Sequence, residues 1–192
     1  MICALVLAGG RSRRFGSEKA MAVVEGRPLL AHATERLAAE GLGVAINAPP
    51  GSGAATWAAA RGYPLISDDP ADPSGPLAGV KAGLLWARIV GAGYLATTPC
   101  DTPDLPADLE SRLASALVPE VGAATARSPS GLQPLCTVWR VASALPAIDA
   151  HFAHAHHPAV HDLLAELGGV EIGFDDDAPF ANLNRREDLG VR

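Results

Sequence analysis

Four cations crowd into nine residues of this chain, Arg11, Arg13, Arg14 and Lys19, although the protein is acidic overall, with 21 Asp and Glu against 15 Lys and Arg. They follow Gly9-Gly10, two residues without side chains whose backbone amides can converge on an anion. Lysine is otherwise scarce, since Lys81 is the only other one. A compact ammonium on a long stem suits a pyrophosphate or triphosphate oxygen. The chemistry implied is a grip on polyphosphate, which a loop of merely solvated arginines does not require. Two familiar grips fail on spacing. Ser17 and Glu18 separate Gly16 from Lys19, where a Walker loop needs Gly-Lys-Ser/Thr, and Gly9-Gly10-Arg11 lacks the Gly-x-Gly-x-x-Gly of a dinucleotide fingerprint.

The complementary groups are acidic. Asp101, in Pro99-Cys100-Asp101-Thr102-Pro103, is the strongest metal candidate, because magnesium takes one or two carboxylates together with phosphate oxygens. Asp68 opens a loop that also holds Asp69 and Asp72, so three carboxylates compete for one role. Asn47 precedes Pro49-Pro50-Gly51, where turn formation alone would also favour it. His151, His154, His156, His157 and His161 form a second cluster, but Pro158 breaks its helical register and no Cys or Glu joins at ligand spacing. A solvated helix end is the plainer reading, with His157 and His161 as candidates to face a phosphate-bearing acceptor. Cys3, Cys100 and Cys136 are odd in number and widely spaced, which argues against disulfides or zinc, and no base stands near Cys100 in sequence to make it a nucleophile.

These residues need a scaffold, and the hydrophobic pattern supplies one. Ile2 to Ala8 is an unbroken apolar run, as in a central parallel strand covered on both faces. Further strands are expected at Val44–Asn47, Tyr63–Ser67 and Tyr94–Thr98. Helices are expected from Pro28 to about Glu40, from Ala54 to Arg61, from the end of the rigid loop Asp68–Gly79 to about Val90, and from Leu105 to Leu117. In the first of these helices Arg36 and Glu40 fall largely off the apolar stripe. Repeated strand–helix–strand units make an α/β, Rossmann-like, doubly wound and mostly parallel sheet flanked by helices. Lys19, Asn47, Asp68 and Asp101 each follow a different strand, so all four share the carboxyl edge where such sheets bind ligands. Beyond residue 120, Val121–Arg127 and Leu132–Arg140 flank Ser128-Pro129-Ser130-Gly131, a small antiparallel excursion. Two helices, a strand at Val170–Phe174 and a last short helix complete a single domain over residues 1–192, with a nucleotide half to about 105 and an acceptor half after about 106.

A net charge of −6 weighs against general nucleic-acid binding. The longest apolar candidate, Ala82–Ala96, is interrupted by Arg88, Gly91 and Gly93 and is too short for a bilayer, and no basic segment precedes the apolar start as in a signal peptide. A cytoplasmic protein without nucleic-acid or membrane partners is expected.

The loop Leu-Ala-Gly-Gly-x-Ser-x-Arg-Phe-Gly-x-x-Lys resembles the signature of nucleotidyltransferases that cut a nucleoside triphosphate between its α and β phosphates, and within them the molybdenum cofactor guanylyltransferase family. Separated motifs in the family's order extend the resemblance over nearly the whole chain: Gly75-Pro76-Leu77-Ala78-Gly79, Pro99 to Pro103, and Asn182-Leu183-Asn184. The resemblance implies GTP contacts from Leu7, Ala8, Gly9, Gly10, Lys19, Asn47, Asp68 and Asp101, with Mg2+ on Asp101. It places molybdopterin against Gly75, Pro76, Leu77, Ala78, Gly79, Asn182 and Asn184. The implied reaction is GMP transfer to the phosphate of molybdopterin with release of pyrophosphate, Arg14, Lys19 and Asp101 acting as catalytic residues. The implied protein contacts are transient ones with molybdenum insertion proteins or molybdoenzymes. Gly9-Gly10 favours GTP, since related cytidylyltransferases usually carry Ala-Gly; a CTP-using enzyme and a non-catalytic adaptor that delivers the cofactor are the alternatives. Phe15 in place of the commoner Met, and Arg185-Arg186 in place of Thr-Pro, depart from the family pattern.

Overall fold

The computed structural model describes residues 1–9, 18–154 and 159–183. Strand β1 (Ile2–Leu7) lies between β4 (Gly43–Asn47) and β6 (Tyr94–Pro99), parallel to both. Its alternate residues explain the unbroken apolar run. Ala4 and Val6 join a core under α1 (Leu29–Ala39), α2 (Gly53–Ala60) and α4 (Leu109–Ser115), whereas Cys3 and Leu5 join a second core on the opposite face. That second core is roofed by α3 (Pro76–Ile89), α5 (Val141–His154) and α6 (Val160–Glu166).

The main sheet has seven strands in the order β5-β4-β1-β6-β8-β7-β9. β5 (Leu65–Ile66) pairs only two residues with β4, shorter than the strand expected from Tyr63 to Ser67; Pro64 has no amide proton to offer a ladder. The antiparallel excursion belongs to the main sheet. β8 (Gly131–Arg140) runs antiparallel between β6 and β7 (Ala123–Ser128), and β9 (Val170–Gly173) adds a parallel edge. One sheet thus runs continuously through both halves of the chain. A separate ribbon of two residues per strand, β2 (Val23–Val24) and β3 (Arg27–Pro28), turns through Gly26 at φ 75° and was not foreseen as a hairpin.

Three expected helix starts need correction. α3 begins at Pro76, so Pro76 to Gly79 are its first turn and not the end of the loop. Pro28 is the residue capping α1, in extended conformation, and α1 begins one residue later. The helix expected from Leu105 starts at Leu109, because residues up to Asp108 are held as turns. The Pro106 carbonyl accepts from Leu109 N at 3.2 Å and from the Arg36 guanidinium at 3.2 Å. Arg36, off the apolar stripe, is nonetheless largely covered. Its guanidinium forks onto Glu110 at 2.5 and 2.6 Å, the two side chains being 10% and 2% exposed. Glu40 stands 3.6 Å from the same guanidinium, and burial and then the Glu110 carboxylate push its carboxyl up to about 7. Among the described residues no helix is long and apolar enough to cross a membrane.

Candidate active site

Asn47, Asp68 and Asp101 each stand at or just after the end of their own strand, β4, β5 and β6. β1 ends in Leu7-Ala8-Gly9, and backbone bonds lash that end to both neighbours: Ala8 N donates to Asn47 O at 2.8 Å and Cys100 N donates to Leu7 O at 3.3 Å. Asn47 ends β4 with its side chain turned inward, only 4% exposed. Its amide donates to the Ile66 carbonyl at 3.2 Å and to Asp68 Oδ1 at 2.7 Å, so it fixes the carboxylate that follows β5. A buried amide with both bonds made orients its partner.

The rivalry among the three carboxylates is resolved by their partners. Asp69 closes its own turn, accepting from Ala71 N at 2.9 Å and, through its carbonyl, from Asp72 N at 3.0 Å. Asp72 binds Lys81 at 2.8 Å, and Lys81 reaches Asp149 of α5 at 3.0 Å. The hydrogen bond that Lys81 donates to Asp72 keeps its ammonium protonated above the usual lysine range. The loop is therefore pinned to α3 and α5, and Asp68 is the member of the trio that lines the cavity.

Lys19 and Asp101 meet. A one-turn 3-10 segment, Lys19–Met21, follows Glu18, and Lys19 Nζ lies 2.5 Å from Asp101 Oδ2, the side chains being 15% and 22% exposed. Asp101 sits in the turn after β6, and its carbonyl accepts from Leu183 N at 2.9 Å. The two groups line a cavity of about 570 Å³ together with Leu7, Ala8, Gly9, Asn47 and Asp68. From the far side come Ser74, Gly75 and Pro76, at the amino end of α3. Gly75 caps that helix at φ 143°, a conformation that L side chains rarely adopt. Behind it, Leu77, Ala78 and Gly79 are buried in the first turn of α3. Gly79 allows a close approach, for a Cβ there would stand 2.6 Å from Asn47 Oδ1 and 3.0 Å from Leu7 Cδ2.

Asn182 is exposed, beside the buried Leu183 that packs on Val24 and Leu29. Gly10, Arg14, Asn184, His156 and His157 lie outside the described residues. The remaining histidines do not line the cavity. His151 is buried with Nδ1 3.0 Å from Glu166, His154 contacts the Ala150 carbonyl, and His161 is exposed on α6. Among the described residues no three His, Cys, Asp or Glu side chains converge as metal ligands. Cys100 lines the cavity, but burial and then Asp101 push its thiol up to about 12, so it is protonated at neutral pH and a poor nucleophile.

Sequence reasoning missed several participants. Leu135 reaches the cavity from mid-β8. Glu18 accepts from Gly53 N and Ala54 N, both at 2.7 Å, across 35 and 36 residues. Nothing local marks either role, although Glu18 adjoins the one lysine of the grip.

What the site offers is a cation, two carboxylates, a buried amide and a helix amino end around one cavity at the strand ends, a setting for an anionic, metal-bound ligand. Residues 4–170 match the family of the MobA-like NTP transferase domain. The chain is 40% identical over 186 residues to the molybdenum cofactor guanylyltransferase of Cereibacter sphaeroides, covering 96% of this chain and 92% of that one. It is 39% identical over 193 residues to that of Rhodobacter capsulatus, covering 98% and 93%. In fold it resembles molybdopterin-guanine dinucleotide biosynthesis protein A from Archaeoglobus fulgidus, with a TM-score of 0.76 at 20% identity over 98% of this chain and 95% of that one.

Proposed function

The chain belongs to the MobA-like NTP transferase family, and from that premise we infer that it acts as a molybdenum cofactor guanylyltransferase. A phosphate oxygen of molybdopterin attacks the α phosphorus of GTP, the bond from that phosphorus to the β-phosphate bridging oxygen breaks, and pyrophosphate leaves with its electron pair. The phosphate nucleophile is already ionised, so no general base is needed. The contact between Lys19 and Asp101 at the carboxyl edge carries this reading for the donor side.

The donor set suits magnesium. Asp101 and Asp68 each engage one oxygen with a neighbour, Lys19 and Asn47, and each has a second carboxylate oxygen for a hard cation that also takes phosphate oxygens. Asp101 holds Mg2+ in this account, which when bound supplies charge neutralisation on the triphosphate. Lys19 then turns to the phosphates and compensates the negative charge that grows on the leaving group. Asn47 keeps Asp68 oriented. Leu7, Ala8, Gly9 and Gly10 offer backbone, and Arg14 adds a second cation. Molybdopterin enters from the side of Gly75, Pro76 and Asn182, with Asn184 beyond; Leu77, Ala78 and Gly79 serve that face by holding the helix end rather than by reaching out. Residues up to about 105 thus carry the donor site and, through Gly75 to Gly79, one side of the acceptor site, so the acceptor half expected after about 106 contributes Asn182 and Asn184 to it. Transient hand-over to a molybdenum insertion protein or molybdoenzyme completes the cycle.

The deciding experiment incubates the protein with molybdopterin, Mg2+ and each nucleoside triphosphate in turn, scoring dinucleotide by mass and pyrophosphate by release. GTP-dependent guanine dinucleotide is expected. Product with CTP alone would make it a cytidylyltransferase, and nucleotide binding without product would make it a carrier.

A further inference from the structure

We propose that Glu18 is a positioning residue, which sets Lys19 in place for the phosphates by clamping onto the amino end of α2; this rests on the role given to Lys19 above. Lysine has a long flexible stem, so where its ammonium arrives depends on how firmly its own backbone is held. On one side of Lys19 the chain is held by Glu18. Its two carboxylate oxygens accept from consecutive amides, Gly53 N and Ala54 N, at 2.7 Å each. On the other side Ala20 is buried in the core. Between them the 3-10 turn is closed by Met21 N on the Glu18 carbonyl at 3.1 Å and Ala22 N on the Lys19 carbonyl at 3.0 Å.

The seat on α2 is shaped for this. Ser52 caps the helix and its hydroxyl takes the next amide, Ala55 N, at 3.1 Å, so Glu18 and Ser52 between them satisfy three successive donors at that end. Gly53 lets the carboxylate in. A Cβ at Gly53 would stand 2.9 Å from Glu18 Oε2 and 3.1 Å from Met21 Cγ. The amino end of α2 is thus occupied by the protein's own carboxylate, whereas that of α3 has no side-chain cap and borders the cavity. A helix end 35 residues away in sequence thus holds the residue immediately before the grip's lysine.

A purely structural cap would cost stability and act independently of Lys19. The test is therefore a double-mutant cycle on the full chain, measuring GTP Kd with Mg2+ and kcat/KM for GTP in the wild type, Glu18→Gln, Lys19→Ala and the pair. Glu18→Gln replaces one acceptor oxygen by an NH2 that faces an amide, and a loss of about 10- to 100-fold in kcat/KM is expected. In the Lys19→Ala background the same change should cost less than about twofold. Gly53→Ala, which displaces the carboxylate without altering it, should reproduce both results and carries the comparison if Glu18→Gln does not fold. Normal turnover in Lys19→Ala would overturn the role of Lys19 and the proposal with it. Impaired Lys19→Ala with a silent Glu18→Gln, or losses that multiply in the pair, would overturn the proposal and leave the role of Lys19 standing.

Discussion

Gly79→Ala and Gly83→Ala form a matched pair that tests how the cavity is built. Both positions lie in α3, where alanine is intrinsically better than glycine by about 1 kcal/mol. Both nevertheless lack room. At Gly79 the new methyl meets Asn47 Oδ1 at 2.6 Å, and at Gly83 it meets Leu5 Cδ2 at 2.5 Å and Leu95 Cδ2 at 3.0 Å. Overpacking costs about 1–3 kcal/mol, so each variant should be destabilised by about 0–2 kcal/mol net, with Tm falling by roughly 2–4 °C per kcal/mol. Function should separate them. Asn47 cannot retreat without breaking its 2.7 Å bond to Asp68, a charge-assisted bond worth about 1.5–3 kcal/mol, whereas Leu5 and Leu95 are buried in the core. Thermal melts and steady-state kinetics should therefore show similar losses of Tm but a GTP KM raised about tenfold or more for Gly79→Ala alone. Equal KM in both variants, or a Gly79→Ala protein more stable than wild type, would refute the reasoning.

Asp101→Asn keeps the shape of the turn while removing its charge; turnover should fall by about 10²–10³-fold, with a stability change within about 1 kcal/mol because the pair with Lys19 is partly exposed, and near-normal turnover would remove Asp101 from the metal role. Glu40 should make stability fall with rising pH, since its carboxyl ionises near 4.5 when unfolded and near 7 when folded, so the native state loses stability across that window and levels off above it. Glu40→Gln should flatten that part of a urea-midpoint profile, matching wild type below the window and equalling or exceeding it at about pH 8; an unchanged slope would show that Glu40 does not drive it.

The strands that carry the site were legible because buried parallel strands are apolar without a break, as at Ile2–Leu7, and because polar residues just after such runs must fall on one edge. Periodicity does not record what meets across the fold. Arg36 and Glu40 sit off an apolar stripe, yet the stripe's edge is covered by Glu110 across 74 residues from Arg36. Asp68 could not be told from Asp69 and Asp72 until their partners were known. Glu18 has the same invisibility, since its amide partners lie on another helix. The helix start at Leu109 and the two-residue β5 were misjudged where Pro106 and Pro64 alter which backbone groups can bond.

The bond from Leu183 to the back of the Asp101 turn also makes the far end of the described chain part of the site's frame. The turn itself follows β6, more than 80 residues earlier in the chain, so a distant segment buttresses it from behind. Leu183, packed on Val24 and Leu29, thus joins two segments more than 150 residues apart directly behind that turn.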